Sequence, residues 1–199
     1  QVTTIAVVSA GDRMFVGTAD GSLTAHECRS DTTNALKAGS FECREVGSLR
    51  KGLSSDRRPV LDLLAVESWR ALLGILDGQL MAYDLYTYRP LASVPSTRGA
   101  SCFCVDEERR LVFVANKKRL QVLAWQAVSL APRRDFPLPE TPRAVALVPA
   151  EAEVPGSSGG PKLVLSLRKE YTVMDATTGA LTPALLLTDR DQLDLSMSR

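Results

Sequence analysis

The sequence predicts an all-β fold: a β-propeller built of four-stranded antiparallel blades, with about four blades present. Three observations carry that prediction. First, one pattern recurs four times, in "RMFVGTADGSLTAHE", "RALLGILDGQLMAYD", "RLVFVANKKRLQVLA" and "KLVLSLRKEYTVMDA". Each copy is an apolar run, a short polar turn and a second run of alternating character. Placing Leu23, Leu80, Leu120 and Tyr171 in one column gives spacings of 57, 40 and 51 residues. Second, two of the turns read Asp20-Gly21 and Asp77-Gly78. Asp-Gly between apolar runs signals a hairpin, because such turns need positive φ that these residues tolerate. Third, every copy has a strand-like segment on either side, which makes four strands per unit. A sheet that small cannot cover both of its faces alone and must stack on its neighbours. Radial stacking of such sheets is the propeller solution.

The strands follow in order. Before the hairpins stand "TTIAVVSA", "PVLDLLAVES", "ASCFCVDE" and "PRAVALVPA"; after them come "FECREVGSL", "RPLASVPST", "APRRDFPL" and "ALTPALLLT". Many are apolar on both faces, as expected of sheets covered from both sides. Asp84 to Thr87 ("DLYT") and Asp175 to Gly179 ("DATTG") follow the third strands of their units, where a short Asp or Thr side chain can bond turn amides. Residues 59–76 place Leu61, Leu64, Ala65 and Leu72 at roughly helical spacing, so a helix competes there. The repeat favours two strands with a turn at 67–70. Residues 29–40, 50–58 and 150–161 read as loops or insertions, the last rich in Pro, Gly and Ser.

The third and fourth units carry "NKKR" and "LRKE" where the Asp-Gly turns stand. Lys117, Lys118 and Arg119 therefore mark a hairpin tip, where solvation alone would select charge. They are also the candidate partner-binding residues, because they gather three cations in a nearly neutral chain. With 24 Lys and Arg against 23 Asp and Glu, the formal charge of the 199 residues is +1, so no global field draws nucleic acid or an anionic membrane. No apolar stretch approaches the roughly 20 residues of a membrane span. No signal peptide is recognisable at the start, and an opening Gln1 suggests a fragment.

Catalytic and metal signatures are weak. Of the four cysteines, Cys102 and Cys104 alternate in "SCFCVD" and share one strand face. Zinc would want wider spacing and four ligands, so Cys28, Cys43, Cys102 and Cys104 are expected as buried thiols of a reduced core. His26 is the only histidine and is expected to be an ordinary strand side chain. Residues 156–160 match G-x-S-x-G, but Pro155 and Pro161 flank them in place of the strand and helix that a nucleophile elbow needs. Asp189, Asp191 and Asp194 could face a hard cation, yet lack the glycine and distal Glu of an EF-hand loop. There is no Walker loop and no G-x-G-x-x-G. Arg57-Arg58 and Arg133-Arg134 read as surface cations on connections.

With the blades laid out, "RGASCFCVDE" (98–107), "ANKKRLQVLAW" (115–125) and "DFPLPETPRAVAL" (135–147) resemble consecutive segments of the citron homology domain. The form they are similar to is that of the vacuolar-sorting tether subunits, subunit thirty-nine of the HOPS complex and subunit three of CORVET. "VGTADGSLTAHEC" and "LRKEYTVMD" fall in the matching order on either side. The resemblance implies one domain over 1–199, a citron-homology propeller of about seven blades that is incomplete at its C-terminal side. It implies a non-enzymatic scaffold without cofactor, which recognises a Rab-type small GTPase and works with other tethering subunits. Such a protein is cytoplasmic, peripheral on late endosome, vacuole or lysosome membranes. A citron-homology scaffold of a kinase- or exchange-factor-associated signalling protein is the alternative.

Overall fold

The computed structural model describes residues 1–8, 11–30, 41–50, 58–149, 160–168 and 170–186. Sixteen strands form four separate four-stranded antiparallel sheets, and each sheet takes its strands in chain order. The first holds β1 (Val2–Val7), β2 (Arg13–Thr18), β3 (Leu23–Ser30) and β4 (Phe41–Arg50). The second holds β5 (Asp62–Val66), β6 (Ala71–Leu76), β7 (Gln79–Asp84) and β8 (Pro90–Val94). The third holds β9 (Ala100–Asp106), β10 (Leu111–Asn116), β11 (Arg119–Gln126) and β12 (Ser129–Pro137). The fourth holds β13 (Ala144–Leu147), β14 (Lys162–Ser166), β15 (Glu170–Asp175) and β16 (Leu181–Leu186). These are the four predicted blades. Apart from single 3-10 turns at Glu67–Trp69 and Pro95–Thr97, the described residues contain no helix.

Residues 59–76 settle the helix question through burial. Leu63 and Val66 are buried while Leu61 and Leu64 face solvent, so the apolar positions that suggested a helix do not share a buried face. The chain runs through β5, turns at Glu67–Trp69 with Arg70 in the left-handed region (φ 53°), and returns as β6. The predicted turn is confirmed. β6 is buried at every position because its six residues are apolar on both faces.

One backbone device recurs in every blade. The residue entering the second strand accepts a hydrogen bond from the residue leaving the third: Cys28 N–H to Asp12, Leu85 to Arg70, Trp125 to Arg110 and Ala176 to Pro161, at 2.8–3.0 Å. Hairpin turns differ more. Asp77 and Gly78 both have positive φ, which makes a two-residue type I′ turn. Around Asp20-Gly21 the loop is wider, with Gly21 alone at positive φ and Thr18 N–H bonded to the Ser22 carbonyl.

The chain separates into two compact units. One comprises Gln1–Ala100 with Gln126–Leu130, the other Ser101–Trp125 with Ala131–Arg199. In the first, Phe15, Leu23, Leu72, Leu76 and Leu85 are fully buried in a shared core, each contributing about 1.5–3 kcal/mol by leaving water. Here β1 and β5 approach closely. The Thr3 hydroxyl donates to the Val60 carbonyl at 2.6 Å, and a Cβ on Gly17 would lie 2.7 Å from the Val60 side chain. The second unit has its own core of Phe113, Leu120, Leu163, Leu165 and Met174, with buried Cys102 and half-buried Cys104 packed into it. These two thiols sit as expected.

Cys28 and Cys43 do not. They lie half-buried and exposed on β3 and β4, outside either core. The physical reason is their place in the sheet: Cys28 lies one residue past Glu27, the last β3 residue paired with β2, and Cys43 is on β4, the outermost strand. Arg133 and Arg134 also differ from expectation: they belong to β12 and not to a connection. The G-x-S-x-G stretch (apart from Gly160), Arg57, Asp189, Asp191, Asp194 and the loop residues 31–40, 51–57 and 150–159 lie outside the described residues.

Candidate functional site

The tip of the β10–β11 hairpin is where the sequence places its cations. Asn116 pairs with Arg119, so Lys117 and Lys118 are the two turn residues and Arg119 already begins β11. Lys117 adopts φ 54°, a costly conformation for a side chain of that size. All three side chains are exposed. The Arg119 guanidinium donates to Asp135 on neighbouring β12 at 3.0 Å. The Lys118 carbonyl accepts from Leu138 N–H at 2.8 Å. The turn is thus held by the strand beside it, and its net cationic character rests on Lys117 and Lys118. What such a tip can do chemically is attract anions; it offers no acid, base or nucleophile.

A second cationic cluster escapes sequence reasoning. In the first unit, Arg13 at the start of β2 and Arg70 in the β5–β6 turn both stack on Tyr86, their guanidinium carbons 5.1 and 5.0 Å from the ring centroid. Arg13 also lies 5.9 Å from the Tyr88 ring and donates to the Leu85 carbonyl at 3.3 Å. Tyr88 meets Phe15 edge-on at 6.1 Å. Asp84 builds the loop that carries both tyrosines, accepting from Tyr86 N–H at 2.9 Å and Thr87 N–H at 2.6 Å. Those hydrogen bonds, Thr87 first, hold its carboxyl below the usual range. Two guanidinium groups on one exposed ring could receive a carboxylate. The available signal was "YDLYTYRP", three tyrosines within six residues, which reads from sequence only as a turn.

Other candidates resolve into structure. His26 Nε2 lies 2.9 Å from the Thr24 hydroxyl on the same face of β3, an ordinary strand side chain. Arg134 donates to the Thr177 carbonyl. Among the described residues no group of three or more His, Cys, Asp or Glu is arranged to hold a metal. No helix among them is long and apolar enough to cross a membrane.

Comparison with known proteins gives the following. No protein-family model matches the chain. The human Vam6/Vps39-like protein is 28% identical over 145 residues, which is 67% of this chain and 16% of that protein. Vacuolar sorting protein 39 of Arabidopsis thaliana is 23% identical over 178 residues, 89% of this chain and 16% of the relative. A zebrafish (Danio rerio) homologue of transforming growth factor-beta receptor-associated protein 1 is 21% identical over 180 residues, covering 85% and 19%. The chain therefore spans less than a fifth of the length of these relatives. Among solved structures, Saccharomyces cerevisiae Sqt1 superposes with a TM-score of 0.65 at 10% identity, over 90% of this chain and 46% of that one. This likeness bears on fold alone, and it agrees with four blades of a β-propeller. By sequence, the chain is similar to the Vam6/Vps39-like and vacuolar sorting protein 39 proteins.

Proposed function

We propose that the chain is a non-enzymatic interaction module of a vesicle-tethering subunit of the HOPS or CORVET type. In this reading it recognises a membrane-bound Rab-type small GTPase and works beside other tethering subunits. Its place is cytoplasmic, peripheral on late endosome, vacuole or lysosome membranes, and it uses no cofactor. The observation that carries the reading is the similarity to Vps39-type proteins over 67–89% of the chain. Propeller blades that present an exposed cationic hairpin tip at Lys117 to Arg119 support a binding role over a catalytic one. Residues 1–199 are read as part of a larger citron-homology ring. In support, Ile5 and Val7 on β1 are 51% and 56% exposed, on the face opposite buried Ala6 and Val8, and pair with Val16 and Met14. An apolar blade face of this kind suits a further blade.

Within this reading, Lys117 and Lys118, with Arg119 tied to Asp135, steer an acidic surface of the GTPase toward the hairpin. Exposed charges of this kind change association rate and salt dependence more than final affinity. The test reverses the charges (Lys117→Glu, Lys118→Glu, Arg119→Glu) in the full-length protein and measures binding to GTP-loaded Rab proteins at low and moderate salt. Association should slow by roughly 3- to 10-fold at low salt, and the difference should shrink as salt screens it. Unchanged association removes the hairpin from the site. Failure of the unmutated protein to bind any endolysosomal Rab removes the function.

A further inference from the structure

We propose that Cys28 and Cys43 are a redox-active dithiol: a site where a low-molecular-weight disulfide such as oxidised glutathione installs a reversible cross-strand disulfide between β3 and β4.

The two residues are direct Cα partners in the antiparallel β3–β4 ladder, and their sulfurs lie 2.7 Å apart. Directly opposed antiparallel residues have Cα atoms about 4.5–5.5 Å apart, inside the roughly 4.4–6.8 Å that a disulfide spans. Closing the bond to about 2.05 Å asks each sulfur to move only a few tenths of an ångström. Neighbouring pairs hold the cysteines in register. Glu27 stands opposite Arg44 and Arg29 opposite Glu42, so opposite charges face each other across the strands on both sides of the cysteine pair. Backbone hydrogen bonding fixes the Cys28 end further, since its N–H donates to the Asp12 carbonyl at 2.8 Å. Both thiols are free, Cys43 is exposed and Cys28 is half-buried, so a small oxidant can reach the pair. The other two cysteines, Cys102 and Cys104, belong to the core of the other unit.

The chemistry balances in two exchanges. A thiolate of the pair attacks one sulfur of oxidised glutathione, forming a mixed disulfide and releasing one glutathione thiolate, which takes up the proton. The second cysteine, as thiolate, then attacks the protein sulfur of the mixed disulfide and expels the second glutathione. Two protein thiols are oxidised and one disulfide is reduced to two glutathiones. The Cys28 thiol is pushed up to about 11 by its hydrogen bond with Cys43, then by burial and by the nearby Cys43 and Asp12. At rest the Cys28 thiol is therefore protonated and exchanges slowly, unlike the low-pKa cysteines of redox catalysts. The bridge would fasten β4, the edge strand of its sheet, to its only neighbour.

The experiment treats the native full-length protein with oxidised glutathione, blocks remaining thiols, and digests it with trypsin without reduction. Cleavage after Arg13, Arg29, Lys37 and Arg44 separates the two cysteines onto different peptides, residues 14–29 and 38–44. The expected result is these two peptides joined, at the mass of a single disulfide, with alkylation of Cys43 reduced by about tenfold or more and restored by dithiothreitol. In Cys28→Ser, glutathione should remain on Cys43 because nothing resolves it. A persistent glutathione adduct on Cys43 in the unmutated protein would overturn the proposal. So would a bridge between two protein copies, or alkylation unchanged by the oxidant.

Discussion

The turns that close β7–β8 and β15–β16 are built alike and filled in opposite ways. In both, an aspartate at the end of the third strand caps two turn amides: Asp84 those of Tyr86 and Thr87, Asp175 those of Thr177 and Thr178. In both, the residue four positions on donates to the aspartate carbonyl, and the aspartate N–H returns a bond to the residue after it. That fourth position needs positive φ in each case. It is Tyr88 at 62° in one turn and Gly179 at 81° in the other. The aromatic ring and the glycine have changed places. Tyr88 lies over Gly47 of β4, whose Cβ would sit 3.0 Å from the ring; Gly179 lies under Phe136 of β12, where a Cβ would sit 2.6 Å away. Each contact joins a turn to the outer strand of the preceding sheet. What recurs from blade to blade is the pair, one ring and one bare backbone, and not the residue at either position.

Reversing the pair in one blade tests this most severely. Gly179→Tyr alone should open β15–β16 by about 3 kcal/mol or more, since it adds strain at positive φ to an overlap with Phe136. Adding Phe136→Gly rebuilds the arrangement of the other turn and should return at least about 1 kcal/mol of coupling. Hydrogen exchange of the β15–β16 amides in the intact protein reads both values. Strict additivity would break the comparison.

Tyr88→Ala comes next. It should weaken the β7–β8 turn by about 2 kcal/mol by removing the ring from Phe15 and Arg13, while Tyr88→Gly should recover part of that through relief of φ. A smaller effect separates the two caps. Asp175 is buried, with the Lys162 ammonium 4.0 Å away, whereas Asp84 is half-buried. Alanine should therefore cost about 2 kcal/mol at Asp175 and nearer 1 at Asp84.

Acid gives the finest distinction. The Asp84 carboxyl is held below its ordinary value, first by the Thr87 amide, with Tyr86 and the Arg70 charge adding to it. A depressed folded-state pKa means its stabilisation is complete above the unfolded carboxylate range near 4, and is lost as pH falls through the folded value. Exchange at Tyr86 and Thr87, corrected for intrinsic rates, should accelerate only below about pH 4. Asp84→Asn should flatten that response.

The four blades were legible because hairpins leave local marks: apolar runs, Asp-Gly turns and a shared column through Leu23, Leu80, Leu120 and Tyr171. The lysine tip was legible for the same reason. What sequence could not supply was anything that depends on register across long separations. The ladder of β3 and β4 slips at Leu23/Thr24 and again at Ala25/His26, and only after both slips does Cys28 face Cys43. Counting along the strands from the Leu23–Arg50 pair would have set Cys28 against Glu45. Arg13 and Tyr86 are likewise distant in sequence, and nothing local to "DRMF" or "DLYT" announces that they stack. The ring-for-glycine exchange hid a true repeat behind residues that do not match.

In the second sheet, the carbonyl of Gly78, at the β6–β7 turn, accepts hydrogen bonds from the amides of both Gly99 and Ala100, and buried Thr97 bonds the Leu80 amide and the Val94 carbonyl. The strand that leaves this blade is thereby measured against the blade's own hairpin. A two-residue turn of fixed hand meets a connector of fixed length, and neither can gain a residue without displacing the other. Insertions that homologous genes accumulate should therefore avoid 77–79 and 95–100. A reporter tag or epitope for following the protein in cells is misplaced there, however exposed the neighbouring surface.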